Sequence, residues 1–489
     1  MGPEDNSRSP AEHLNDHEDA EESQHLLPTF NHHTGLNIIH SVAPEGESGR
    51  HGFDFVPFCK IMWKSSSQVS MLVNVLWPFA PIAIILHYGF SGLHIWIFAM
   101  SYIGMVAPAN LLGFAGQELA RKMPKVTGVL VETALGSIVE IILFLILIKK
   151  HSTKEDNGAA EHGNLIPVIQ AAILGSILTN LLLCLGLCFF VGGLRQQSQK
   201  FHAAVSEVGT GLLLVAGFGL LIPSAFYSSL KSATVTASGS EAGYGDKQLR
   251  HDTLKISQIT SIILIIAFFI YIWFNARSHD SIFDEVLASD EERDRDRHSD
   301  HAKAKFTLTE CVVALVISLT FVSLLAEFLV EQIPHVVDTG VPDQFLGLIL
   351  LPLVEKAAEH LTAIDEAWDD QMNFALYHCL GPSIQTALFN APLVVVVGWI
   401  LNKPMDLNFE IFMIALLVLS ILVIGNFLRD GESNYLEGAL LVIIYLICAV
   451  AAWYYPDPDV ATSNGGTLET KGDSMSWGLW TRRNVKYNR

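Results

Sequence analysis

From about residue 69 onward the chain alternates long apolar runs with short polar breaks. The runs fall near 69–89, 93–115, 126–148, 165–191, 203–224, 254–275, 307–331, 343–364, 373–400, 407–427 and 435–455. Each is about 20 residues long, the length an α-helix needs to cross roughly 30 Å of hydrocarbon. The pattern predicts an all-α membrane protein of about 11 transmembrane helices: one extra N-terminal helix, then two inverted five-helix repeats. Residues 1–55 break the pattern and read as a disordered, acidic, histidine-rich cytosolic tail (His13, His17, His25, His32, His33, His40, His51) with no cleavable signal peptide. The extra helix falls in 56–92, the first repeat in 93–275, an acidic cytosolic linker in 276–306, the second repeat in 307–456 and a C-terminal tail in 457–489.

Loop charge sets the expected orientation. Arg121, Lys122 and Lys125 lie in one break, and Arg195 and Lys200 in another. The positive-inside rule puts both breaks in the cytosol, and with them the N-terminus. The segment bearing Glu140 then runs outward and the segment bearing Glu359 runs inward, which is what makes the repeats inverted. Such repeats place a binding site near the midplane and open it to alternate sides.

Composition agrees with a membrane protein. Half the residues are hydrophobic, 16% are charged and the mean hydropathy is +0.37. The formal net charge of −20 comes largely from the tail and from the linker around Asp290-Glu291-Glu292-Arg293-Asp294-Arg295-Asp296. That sign disfavours nucleic acid as a partner. The lipid bilayer is the expected partner, and a homo-oligomer is compatible with the pattern. Cys184 and Cys188 lie in an apolar run and read as packing residues.

Two acidic stretches interrupt the apolar runs: Gly136-Ser137-Ile138-Val139-Glu140 and Glu355-Lys356-Ala357-Ala358-Glu359-His360. A charge at the bilayer centre costs about 2.5–3.5 kcal/mol on insertion scales, so it marks function by default. Each stretch is followed by a glycine- and serine-bearing run, Gly175-Ser176-Ile177-Leu178-Thr179-Asn180 and Gly381-Pro382-Ser383-Ile384-Gln385. A hard cation such as Ca²⁺ takes about six to eight oxygens. Glu140 and Glu359 supply the charge, and Ser137, Ser176, Asn180, Ser383, Gln385 and glycine-freed carbonyls are candidates for the rest. The same glutamates can carry protons when the metal leaves. Glu355 and Glu359 share a helix face, and Glu132 lies about 80° from Glu140 around an ideal helix. Glu132, Glu355, Lys356 and His360 are therefore candidates for proton coupling or selectivity. His378, seven residues before Gln385, reads as packing more readily than as a proton relay. No nucleophile–base set, phosphate-binding loop or cofactor fingerprint stands out, so neither an enzyme nor a nucleotide-driven pump is expected.

Several motifs resemble the cation/proton exchanger branch of the Ca²⁺/cation antiporter superfamily, and among these fungal vacuolar Ca²⁺/H⁺ exchangers. They are Leu112 to Ala120 (LGFAGQELA), Gln170 to Gly186 (QAAILGSILTNLLLCLG), Phe190 to Arg195 (FVGGLR), Ser383 to Phe389 (SIQTALF) and Asp430 to Gly438 (DGESNYLEG). The resemblance implies eleven spans, a vacuolar membrane and metal uptake driven by lumenal acid. The departures fall on the acidic motifs. Glu132 and Ser137 stand where the family has asparagines, Glu355 and Lys356 replace Gly-Asn, and Pro382 replaces a Ser or Asn, while Glu140, Glu359 and His360 are kept. Lys356 brings a fixed cation to the site, and Glu132 and Glu355 add compensating negative charge. The expected function is secondary antiport of a cation, foremost Ca²⁺, against protons. Exchange of Na⁺, K⁺ or Mn²⁺, or a transport-incompetent regulatory role, are the alternatives.

Overall fold

The computed structural model describes residues 48–50, 52–65, 68–90, 92–123, 125–151, 165–236, 246–275, 280–295 and 305–455. The expectations for the histidine-rich tail up to residue 47 and for 457–489 fall outside the described residues. The described residues are mostly helical: α1 (Phe55–Lys64), α2 (Ser70–Gly89), α3 (His94–Ala120), α4 (Lys125–Lys150), α5 (Ile166–Arg195), α6 (Ala203–Thr236), α7 (Asp246–Trp273), α8 (Asp280–Arg293), α9 (Leu308–Asp338), α10 (343–368), α11 (Met372–Ile400), α12 (Ile411–Phe427) and α13 (Tyr435–Tyr454). Two short strands, Gln199–Lys200 and Glu432–Ser433, pair antiparallel.

Among the described residues, nine helices are long and apolar enough to cross a membrane: α2, α3, α5, α6, α7, α9, α11, α12 and α13. The two further long helices, α4 and α10, are those that carry the acidic stretches. Burial sorts the nine. In α7 the residues Ile259, Ile263, Ile266, Phe269 and Ile270 face outward, as a lipid-facing surface requires. By contrast α5 and α11 are 72% and 67% buried over their most apolar windows, so they form the centre. Helices α3 and α9, the first of each predicted repeat, lie along one another.

Three π-turns interrupt the central helices, at Thr179–Cys184 in α5, Leu346–Leu350 in α10 and Thr386–Asn390 in α11. Such turns loosen the i→i−4 ladder and turn side chains and carbonyls toward a site. Two of them open on the threonine of the same four-residue pattern, Ser176-Ile177-Leu178-Thr179 and Ser383-Ile384-Gln385-Thr386. Small residues let α5 and α10 cross closely. A Cβ on Gly175 would meet the Leu348 carbonyl oxygen, and one on Gly347 would lie 2.8 Å from the Val168 carbonyl oxygen.

The acidic linker is helical over Asp280–Arg293, and one of its carboxylates is fully buried. Asp290 accepts from Asn373 N (2.7 Å), Asn373 Nδ2 (2.8 Å) and Phe374 N (3.2 Å), and pairs with Arg293 (2.6 Å). It thus supplies an anion to the N-terminus of α11, where free N–H groups and the helix dipole favour one. Burial raises its pKa, opposed by these donors.

One end of the bundle gathers the breaks after α3, α5 and α10. There Arg195 donates to the Trp368 carbonyl (3.0 Å), and His202 N donates to Asn373 Oδ1 (2.7 Å). The opposite end carries the break between α11 and α12. In that break the half-buried Asp406 accepts from Gln170 Nε2 (2.9 Å), and desolvation pushes its pKa up to about 6. An acid whose pKa is raised on folding supports the fold below its unfolded pKa, near 3.9. That support is lost as pH climbs through about 6. Thermal unfolding of the wild type should therefore show a midpoint that falls between pH 4 and pH 7. Asp406→Asn should flatten that slope.

Candidate cation site

The two acidic stretches meet at the centre of the bundle. Glu140, on α4, is fully buried. Its carboxylate accepts from Thr386 Oγ1 (2.8 and 3.0 Å) and from Asn390 Nδ2 (3.1 Å), both on the π-turn of α11. Lys356, on α10, is also fully buried. Its Nζ lies 3.4 Å from Glu140 Oε2 and 3.3 Å from Glu359 Oε2, so one ammonium bridges carboxylates from two different halves of the chain. Two carboxylates and one ammonium leave a formal charge of −1, and Glu355 beside them adds another carboxylate.

Several buried oxygens have no hydrogen-bond partner among the described residues: both of Glu355, Ser137 Oγ, Ser176 Oγ and Asn390 Oδ1, while Glu359 Oε2 meets only the Lys356 ammonium. Leaving such a group unpaired costs about 1–3 kcal/mol, more for a charge. Oxygen-rich and under-satisfied, this is the donor set a hard cation takes.

Helix geometry explains how the carboxylates come so close. Gly136 sits one turn before Glu140, and a Cβ there would collide with Glu359 Oε1 and lie 3.0 Å from Glu359 Cδ. Adding a methyl group must displace the Glu359 carboxylate. Gly136→Ala should lower exchange turnover at least about tenfold (about 1.4 kcal/mol) while the purified protein keeps its helical signal. A variant with wild-type turnover would show that Glu359 need not sit where it does.

The other sequence candidates are placed as follows. His360 Nε2 donates to Asn180 Oδ1 (2.9 Å), joining α10 to the π-turn of α5. Ser383 donates to its own helix at the Cys379 carbonyl (2.8 Å) rather than to a glutamate. Gln385 is buried next to Thr386. Glu132 lies away from the bridged pair, against His378 (3.1 Å). His378 holds Glu366 with its other nitrogen (2.7 Å). A cavity of about 30 Å³ separates this triad from Glu359, lined by Asn110, Gln117, Glu132, Glu359, Thr362 and His378 among others.

Sequence reasoning did not single out Thr386, Asn390 or Glu366. The first was signalled by the repeated Ser-Ile-x-Thr pattern, and the other two had no local signal. Cys184 and Cys188, which read as packing residues, are buried and joined by Cys379 from α11, with its Sγ 3.4 and 4.0 Å from theirs.

Comparison with known proteins now places the chain. The model of the sodium/calcium exchanger protein family matches residues 93–277 and 311–454. The chain belongs to that family of membrane transporters. It is 34% identical over 390 residues to a vacuolar cation/proton exchanger 2 of Oryza sativa subsp. japonica, covering 79% of this chain and 82% of the relative. It is 30% identical over 396 residues to a vacuolar calcium ion transporter of Schizosaccharomyces pombe, covering 80% and 87%. Its fold matches the solved structure of the Ca²⁺/H⁺ antiporter protein YfkE with a TM-score of 0.60 at 24% identity, covering 80% of this chain and all of that one.

Proposed function

We propose that the protein is a secondary antiporter that moves Ca²⁺ into an acidic vacuole in exchange for protons. Glu140 and Glu359 hold the cation and the protons in turn. The observation that carries this reading is the Lys356 ammonium between the two glutamates. A buried positive charge already occupies the point where a transported cation would sit, and Nζ stands in for it. The buried oxygens of Glu355, Ser137 and Ser176, which have no hydrogen-bond partner among the described residues, are candidates to complete a shell. The relatives named as vacuolar cation/proton exchangers and calcium transporters support the same substrates and the same membrane.

Eleven spans in two inverted repeats fit this function. The two Ser-Ile-x-Thr π-turns lie on α5 and α11, each the helix that follows an acidic one. Alternating access then amounts to rocking around the fixed glutamates. The family membership speaks for transport rather than catalysis, and the only partners the mechanism needs are the cation, protons and the bilayer.

One observation favours a second reading. With Lys356 in place, Glu140 and Glu359 keep a formal charge of −1, which matches Na⁺ or K⁺ better than a divalent ion wherever Glu355 does not join as a third carboxylate. Proteoliposomes acidified inside, with a lumenal pH dye, separate the two. Ca²⁺, Mn²⁺, Na⁺ and K⁺ are added outside in turn. Alkalinisation with Ca²⁺ supports the leading reading. A response to Na⁺ or K⁺ alone supports the second, and no response to any ion would overturn both.

A further inference from the structure

Three titratable side chains from three helices meet outside the cation site, and the exchange mechanism has not yet used them. His378 on α11 is the middle member. Its Nδ1 is 2.7 Å from Glu366 Oε2 on α10, and its Nε2 is 3.1 Å from Glu132 Oε1 on α4. The side chains of Glu132, Glu366 and His378 are 17, 16 and 10% exposed, so they are enclosed without being sealed.

Position gives the cluster its meaning. Glu366 lies in the last turn of α10, at the end of the bundle where Arg195 reaches Trp368 and Asp369. Glu359 is seven residues earlier, about 10 Å back along the same helix toward the centre. Glu132 and His378 line the same cavity as Glu359. That cavity has room for water and polar walls from Gln117 and Thr362, which is what a water bridge needs.

We propose that Glu132, His378 and Glu366 form a proton relay between Glu359 and the end of the bundle that carries Arg121, Lys122, Arg195 and Lys200. The inference rests on the antiport reading above and adds a path for its protons. An imidazole suits the middle place because it can accept a proton on one nitrogen and release another from the second. A proton leaving Glu359 crosses the cavity to Glu132 or to His378 Nε2. The imidazolium gives its Nδ1 proton to Glu366, and Glu366 passes it to bulk water. Every step moves one proton between named oxygens and nitrogens, and no other reactant is consumed. Under the positive-inside rule that end is cytosolic, so protons from an acidic lumen would be discharged there.

The groups that face His378 from the packed helices are Glu132 on α4, Glu359 and Glu366 on α10, and Cys188 on α5. Asp290 of α8 caps the start of the same helix five residues before. A purely structural tie would hold α4, α10 and α11 together whatever the ion exchanged. A relay matters only when net protons move.

The test compares two modes in the same proteoliposomes. One is Ca²⁺/H⁺ exchange; the other is Ca²⁺/Ca²⁺ exchange followed with radioactive calcium, which needs no net proton transfer. His378→Gln keeps a hydrogen-bonding side chain but cannot carry a proton at neutral pH. It should slow Ca²⁺/H⁺ exchange at least about tenfold and flatten its dependence on external pH, while Ca²⁺/Ca²⁺ exchange stays near wild type. Glu366→Gln should show the same split. Equal loss of both modes in both variants would make the cluster structural, and unchanged Ca²⁺/H⁺ exchange would remove the relay. Absence of both modes in the wild type would instead reject the antiport reading on which the proposal rests.

Discussion

Glu140→Gln and Glu359→Gln should each abolish cation-driven proton movement, lowering it at least about 100-fold in proteoliposomes. The amide is nearly isosteric, so Thr386 and Asn390 can still hold position 140. What is lost is the charge. A carboxylate can bind either a metal or a proton, and an amide carries no exchangeable charge. Removing one carboxylate also takes the bridged set of Glu140, Lys356 and Glu359 from a formal charge of −1 to zero, so the remaining glutamate is spent on Lys356 and offers a cation no net charge. The loss should therefore appear in turnover and in metal binding together. Retention of exchange by either variant would place the cation elsewhere.

Lys356→Asn is the second large effect, and its sign is opposite. A fixed ammonium beside a divalent ion is unfavourable; two like unit charges at 4 Å repel by about 4 kcal/mol at an effective dielectric constant of 20. Nζ can escape part of this by turning toward Glu355, whose oxygens have no other partner among the described residues. An expected gain of about tenfold in apparent Ca²⁺ affinity, roughly 1.4 kcal/mol, allows for that escape. Calcium titration of exchange in wild type and Lys356→Asn measures it. Under the monovalent reading the same substitution should instead convert a Na⁺ or K⁺ response into a Ca²⁺ response. An unchanged affinity for every ion would mean that Lys356 has left the site before the cation binds.

Much of this was legible in the chain, for identifiable reasons. A helix in a bilayer must satisfy its own backbone, so span positions follow from apolar runs alone. Glu140 and Glu359 stand out because charge inside such a run is costly. Thr386 and Asn390 did not stand out, because a hydroxyl or an amide inside a membrane helix is common and pairs as readily with its own backbone. Ser383 illustrates the point by donating to the Cys379 carbonyl. The π-turns were invisible because Thr179–Cys184 and Thr386–Asn390 contain neither glycine nor proline, and the lone Gly347 of Leu346–Leu350 does not set a π-turn apart from an ordinary helical turn. The Glu132–His378–Glu366 cluster escaped notice because its members come from three helices. His378 alone looks like a packing residue, and Glu366 sits among the other acids of Asp365 to Asp370. The acidic linker misled in a milder way, since net charge says nothing about the one carboxylate, Asp290, that is buried as a helix cap.

The central claim is that Glu140 and Glu359 hold a cation and protons in turn. Calorimetry of Ca²⁺ and Na⁺ binding to the purified protein, repeated in buffers of different ionisation enthalpy, counts the protons released per ion bound. The account predicts that binding of the transported ion releases protons at mildly acidic pH, and that Glu140→Gln removes both the binding and the release. Binding with no proton release, or binding that survives in the Glu140→Gln, Glu359→Gln double variant, would contradict it.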